Sequence, residues 1–220
     1  MKRFDENLSS FYAAQVILAI EYMHFLGLIY RDLKPENILI DKDGYLKITD
    51  LGFCKKIDKS RTYTLCGTPY YLAPEVILSK SYSFSVDWWS FGVLLYEMNA
   101  GIPPFYSEDV LTIYELIVAG KFDCPKYFSF SLKDLLHNMI EIDRTKRFGE
   151  LKNGTKDIKK HIWFDSTDWE AILLRKYRPP YIPQVEGDDD ASNFEKVIEK
   201  PFRVSTKDEC GDMFKFITHK

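Results

Sequence analysis

The sequence is poor in cysteine and brings no two of its cysteines close together. Cys54, Cys66, Cys124 and Cys210 are scattered, with no C-x-x-C pair. That spacing argues against a cysteine-built metal site or a disulfide framework and suits a reducing compartment. No charge of one sign dominates either. Thirty Lys and Arg stand against 33 Asp and Glu, for a net charge of -3, so the basic excess of a nucleic-acid-binding face is missing. No apolar run approaches the ~20 residues of a membrane-spanning helix, and no membrane insertion is expected. The first residues, Met1-Lys2-Arg3-Phe4-Asp5-Glu6-Asn7, turn acidic and polar at once, unlike a secretory leader. Internal repeats and long low-complexity segments are absent as well. What remains is 220 residues, 45% hydrophobic and 15% aromatic, enough apolar material for one substantial core.

Periodicity outlines a mainly helical chain. Leu8 to Leu26 is apolar nearly all round, which predicts a buried helix, with Asp5, Asn7 or Ser9 as its cap and Gly27 as its stop. His24, near the end of that helix, stands outside any motif and reads as structural. Ile38-Leu39-Ile40 and Tyr45-Leu46-Lys47-Ile48 flank Asp41-Lys42-Asp43-Gly44, a hairpin signal. Bulky residues from Val86 to Met98, ended by Gly101 and two prolines, predict the central helix of a helical domain. Further helices are expected over 110–119 and 131–142. From about Lys176, prolines, three aspartates and sparse apolar residues suggest an extended tail.

The chemistry is concentrated in Tyr30-Arg31-Asp32-Leu33-Lys34-Pro35-Glu36-Asn37. Asp32 is suited to take a proton from an attacking hydroxyl, Lys34 to neutralise phosphate charge, and Asn37 to ligate a hard cation through its amide oxygen. The hairpin then delivers Asp50 in Thr49-Asp50-Leu51-Gly52. The stretch from Phe53 to Glu75 has no helical or strand period, and loops of that length are usually functional or disordered. It holds Thr64 in the company of Lys55, Arg61 and Arg31, the composition of a phosphorylation switch. A lone loop threonine is more often unmodified; the place of Thr64 between Asp50 and Glu75 favours function. Asp87, in so apolar a helix, must find donors or bear a desolvation cost.

The order R-D-x-x-x-x-N, then Asp-Leu-Gly, then Ala73-Pro74-Glu75 resembles the catalytic loop, metal-binding segment and activation-segment end of protein kinases. Tyr30-Arg31-Asp32, Thr64-Leu65-Cys66-Gly67-Thr68-Pro69 and Asp87-Trp88-Trp89 are similar to the AGC kinases. Arg147-Phe148-Gly149, Thr167-Asp168-Trp169 and Ser192-Asn193-Phe194 are similar, within that group, to the cAMP-dependent type. The resemblance implies a mainly α fold: a kinase large lobe with short β-hairpins over 1–164, followed by an extended AGC-type tail over 165–220. It implies a Ser/Thr kinase using ATP and Mg2+ on protein substrates with basic residues before the target, and a cAMP-binding regulatory subunit as partner. It also implies a cytoplasmic protein, with nuclear entry left open.

By that resemblance Asp32 is the catalytic aspartate, Lys34 contacts phosphate, Asn37 and Asp50 hold metal, and Leu39 lies under adenine. Glu36 and Glu97 bind a substrate arginine. Leu65, Pro69 and Leu72 form the pocket after the target, and Thr68 bonds within the catalytic loop. Thr64 and Ser205 resemble the family's regulatory phosphorylation sites. Arg31, Asp87, Glu75 and Arg147 brace the site, and Tyr114 belongs to the regulatory-subunit surface. Leu51 stands where the family has Phe, and Tyr70 where it has Glu. No G-x-G-x-x-G loop, strand lysine or partner Glu of a small lobe occurs in these residues. The 220 residues alone are therefore expected to transfer phosphate negligibly. The alternative is a non-catalytic product that binds regulatory subunits or substrates as a decoy.

Overall fold

Helix α1 spans Glu6–Phe25. Asp5 is its cap, accepting from the Leu8 N–H at 2.8 Å; of the three candidates it alone has the β-region backbone that a cap needs. The helix buries Phe11, Tyr12, Ala14, Val16, Ile17 and Ile20. A computed structural model describes residues 3–57, 61–187 and 189–195. The chain divides into a unit over Met1–Gln184 and a second over Val185–Lys220.

The centre of the first unit is α3, Ser85–Ala100. It is preceded by the short α2, Pro74–Ile77. Trp88, Trp89 and Phe91 of α3 are all no more than 1% exposed. Helix α3 packs against α1 and against α5, Phe130–Met139. The close approach to α5 requires Gly92: a Cβ there would lie 2.8 Å from Met139 Cβ and 2.9 Å from Ile140 Cγ1. Gly92→Val is accordingly expected to cost about 1–3 kcal/mol by overpacking, visible as a lowered urea midpoint with an unchanged m-value. Gly101, at φ 83, ends α3, where a left-handed residue closes a helix without a Cβ penalty. Helix α4 is Val110–Ala119, α6 Thr155–Lys159 and α7 Trp169–Leu173. The expected helix over 131–142 ends three residues early, because Ile140 leaves helical geometry.

Strands are few. β2 (Ile38–Ile40) and β3 (Leu46–Ile48) pair antiparallel, with Ile38 opposite Ile48. Periodicity does not announce the second pair, β1 (Leu28–Ile29) with β4 (Lys55–Lys56). Two-residue strands carry no period, and their pairing is fixed by the helix end and the loop that precede them. The β1–β4 pair holds together both ends of the segment from 30 to 54, and the β2–β3 hairpin lies within it. Residues 176–184 run without helix or strand against the hairpin: Tyr45 Oη donates to the Tyr177 carbonyl at 2.6 Å, and the Phe11 and Tyr177 rings stack at 5.6 Å. Within the second unit, Asp190 closes a turn by accepting from the Glu186 and Ser192 N–H groups at 2.9 and 2.8 Å. Ser205 and Cys210 lie outside the described residues. Cys54, Cys66 and Cys124 are free thiols. Among the described residues no helix is long and apolar enough to cross a membrane.

Candidate active site

The loop from Tyr30 to Asn37 leaves β1 and enters β2 through a single 3-10 turn, Pro35–Asn37. Its backbone is hung on one buried carboxylate. Asp87 in the first turn of α3 is fully buried, and its Oδ1 accepts the Arg31 N–H at 2.8 Å. Its Oδ2 accepts the Tyr30 N–H at 2.9 Å and faces His24 Nε2 at 2.8 Å. These contacts answer the desolvation that such a carboxylate incurs. Arg31 has φ 71, a left-handed conformation that costs a non-glycine residue about 1–3 kcal/mol. Two charge-assisted hydrogen bonds to Asp87 are enough to hold it there, since each contributes about 1.5–3 kcal/mol.

Within this frame Asp32 is only 3% exposed. Its Oδ2 accepts Asn37 Nδ2 at 2.7 Å and pairs with Lys34 Nζ at 2.9 Å. Its Oδ1 accepts the Thr68 hydroxyl at 3.1 Å, and Lys34 Nζ donates to the same hydroxyl at 2.9 Å. Asn37 Nδ2 also donates to the Asp32 carbonyl at 2.9 Å. The amide nitrogen of Asn37 is therefore committed to Asp32. Thr68 reaches the loop because Gly67 precedes it at φ 115; a Cβ on Gly67 would lie 2.9 Å from the Arg31 carbonyl and 3.0 Å from Leu72 Cδ2.

Asp50 emerges two residues beyond β3, beside Asn37, whose carbonyl accepts the Thr49 N–H at 2.9 Å. It too is left-handed, at φ 54, and its Oδ1 accepts the Gly52 N–H at 2.9 Å. Leu39 on β2 is 40% exposed on the outer side of the hairpin. Among the described residues no three His, Cys, Asp or Glu side chains converge on a metal-sized site.

The acidic pair lies to one side. Glu97 of α3 accepts the Tyr71 hydroxyl in a short hydrogen bond. Burial pushes the Glu97 carboxyl above the usual carboxylate range, Tyr71 opposes the shift, and the Glu36 carboxylate adds to it. Burial likewise raises the Tyr71 phenol, helped by Glu97. Glu36 is exposed, so the pair joins one solvated carboxylate to one partly desolvated. Leu65 is exposed and Leu72 buried, on either side of Thr68 and Pro69. Tyr70 stacks on Tyr106, with ring centroids 6.0 Å apart, and donates to the Ser107 carbonyl at 3.2 Å.

Behind the site Glu75 and Arg147 form a buried bidentate pair, at 2.7 and 3.0 Å. The loop between is tied back through Thr62 and Tyr82, which exchange both backbone hydrogen bonds at 3.0 Å. Thr64 is exposed, with its hydroxyl 3.4 Å from that of Thr62, which accepts Lys55 Nζ at 3.0 Å. Arg61 turns away from this group and donates to Ser81 Oγ at 3.3 Å. Two residues of the constellation escape a reading of local sequence. His24 is recognisable only as a polar residue late in an apolar helix, and Tyr82 has no local signal at all.

This arrangement has counterparts among known proteins. Residues 1–164 match the protein kinase domain. The chain is 53% identical over 197 residues to a human cAMP-dependent protein kinase catalytic subunit, PRKX, covering 90% of this chain and 55% of that protein. It is 50% identical over 216 residues to the cAMP-dependent protein kinase catalytic subunit of Schizosaccharomyces pombe, covering 97% and 42%. With the corresponding subunit of Dictyostelium discoideum it shares 45% over 218 residues, covering 97% and 34%. The chain thus spans about half the length of the human relative, and less of the other two. With a family match over about three quarters of its length and a loop geometry that gives both carboxylate oxygens of Asp32 their partners, the chain belongs to the protein kinase domain family.

Proposed function

We propose that this chain is the large lobe of a Ser/Thr kinase that transfers the ATP γ-phosphate to Ser or Thr in Arg-rich proteins. The observation that carries the reading is the buried Asp32 carboxylate, fixed by Asn37, Lys34 and Thr68 together. A carboxylate held in one orientation beside an ammonium is equipped to take a hydroxyl proton while the ammonium offsets charge on a transferring phosphoryl group. Asn37 and Asp50 fit Mg2+, a hard cation that takes one or two protein oxygens and keeps its other positions for phosphate and water. Bound there, it would neutralise phosphate charge. The exposed Leu39 suits the underside of a purine. The relatives' names, catalytic subunits of cAMP-dependent kinases, support a cAMP-binding regulatory subunit as partner; in this reading Tyr114 belongs to its docking surface, and the protein is cytoplasmic with nuclear entry left open. Residues 1–164 would be the lobe and 165–220 the tail, with Ser205 and Thr64 as phosphorylation sites.

Glu36 and Glu97 would receive a substrate guanidinium, and Leu65, Pro69 and Leu72 the residue after the target. The test is phosphoryl transfer from ATP to an Arg-Arg-x-Ser peptide by the protein that carries this chain, against a peptide with both arginines replaced by Ala. Preference for the arginine peptide by about tenfold or more is expected, the worth of one charge-assisted hydrogen bond. Equal rates on the two would sink the specificity reading, and no transfer to either would sink the function.

Recognition should also depend on pH. The Glu97 carboxyl is raised, so it gains its proton at a higher pH than a free glutamate, and affinity for the arginine peptide should fall as pH drops through that raised value. For folding the sign is opposite. A raised carboxylate pKa means that the native state holds the proton more tightly, so this contribution is present below the unfolded pKa and lost as pH rises through the folded one. Glu97→Gln should flatten the pH profile of peptide affinity measured by fluorescence anisotropy. An unchanged profile would remove Glu97 from the site.

A further inference from the structure

Tyr82 is 1% exposed, and its hydroxyl stands between two groups that the proposed switch must bring together. It donates to the Thr64 carbonyl at 2.6 Å and accepts from Arg31 Nη1 at 3.4 Å. The backbone of the same residue pairs with Thr62 in both directions at 3.0 Å. Tyr82 therefore fixes Thr64 twice, through the backbone of Thr62 two residues before it and through the Thr64 carbonyl itself. It also faces the arginine whose N–H is held by Asp87 and whose Nε donates to the Phe53 carbonyl at 2.7 Å. A second cation, Lys55, is already one hydroxyl away through Thr62. The remaining titratable neighbour is the Cys66 thiol. Burial raises the Tyr82 phenol, with Arg31 opposing, so the group stays a neutral donor.

We infer that Tyr82 is a positioning residue that sets Thr64 in register with Arg31 and Lys55, so that a phosphate on Thr64 meets two prearranged cations. Both cations already lie beside the threonine, Arg31 through Tyr82 and Lys55 through Thr62. Arg31 has a partner to leave and Lys55 a hydroxyl to exchange, so neither cation has to be found from solvent. The inference rests on the reading of Thr64 as the modified residue.

A readout specific to this role is the ionisation of the phosphate itself. The full chain with phosphothreonine installed at position 64 is titrated by phosphorus NMR, beside a free phosphopeptide spanning residues 61–68. A free phosphothreonine has its second pKa near ~6, and facing cations lower it by about 1 unit or more. The chain is expected to titrate below the peptide, and Tyr82→Phe to recover at least half of the difference. Hydrogen exchange at the Thr62 and Tyr82 amides shows whether the bridge persists in the variant. Wild-type titration in Tyr82→Phe would overturn the inference, whatever its stability. A wild-type chain that titrates like the peptide would instead overturn the reading of Thr64 as a switch, and this inference with it. Tyr82→4-aminophenylalanine keeps the ring and a donor toward the Thr64 carbonyl, and should restore the lowered value. It also serves as the test if Tyr82→Phe does not fold, where a titration like the free peptide's would overturn the proposal.

Discussion

Asp32→Asn, in the protein that carries this chain, is expected to lower phosphoryl transfer to the arginine peptide by about 10²–10⁴-fold, the range that a positioned general base contributes. Asparagine keeps the shape of the side chain but cannot take the hydroxyl proton. It also puts an amide where the carboxylate meets Lys34, whose Nζ now sits 2.9 Å from Oδ2. The change is not expected to unfold the lobe. Lys34 is partly exposed, at 20% for its side chain, so water can solvate the ammonium that loses its partner. The frame of the loop rests on Asp87, which the substitution leaves alone. Turnover and thermal unfolding measured on the same preparation separate the two effects. Activity within tenfold of the parent, with folding unchanged, would remove Asp32 from the proton-transfer role.

The same distinction between side chains and their supports explains what the sequence reveals and what it hides. Asp32, Lys34 and Asn37 fall within six residues, and the short loop brings them together with little help. Asp50 is legible because a hairpin of known geometry follows that loop at once and ends two residues before it. The left-handed Arg31 and Asp50 are not legible, since nothing in a non-glycine residue announces positive φ and only the surrounding structure holds it there. Asp87 shows as an anomaly in an apolar helix, although its three partners lie 56 to 63 residues away. His24 and Tyr82 fail even that test, because a histidine late in an apolar helix and a buried tyrosine are both unremarkable. The helices are read well where they are buried all round, as for α3. They are read less well where an end is set by tertiary packing, as at Ile140.

Removing the guanidinium of Arg147 should be the most damaging single change to the fold. Arg147→Ala is expected to destabilise the lobe by about 3–5 kcal/mol, the penalty for leaving one member of a buried ion pair uncompensated. The case for the upper end is the completeness of the site. Arg147 is fully buried, and Glu75 is 6% exposed. Besides the two bonds to Glu75, the guanidinium donates to the Ser85 carbonyl at 3.0 Å and the Glu141 carbonyl at 2.9 Å. It lies 5.0 Å from the centre of the Trp89 ring. Truncation strands a carboxylate and two carbonyls at once and opens a cavity beside a tryptophan. At about 2–4 °C per kcal/mol for a domain of this size, the melting temperature should fall by roughly 10 °C. Glu75→Leu combined with Arg147→Met removes both charges and refills the space, and should recover most of the loss. That comparison decides what the pair does. If the double variant is as stable as the parent, the ion pair is not needed for stability. Its effect would then be to fix where α2 meets α3, and through α2 the end of the loop that carries Thr64 and Thr68. A double variant no better than Arg147→Ala would instead show that the pair itself carries the stability, and that the loop is anchored by charge rather than by packing.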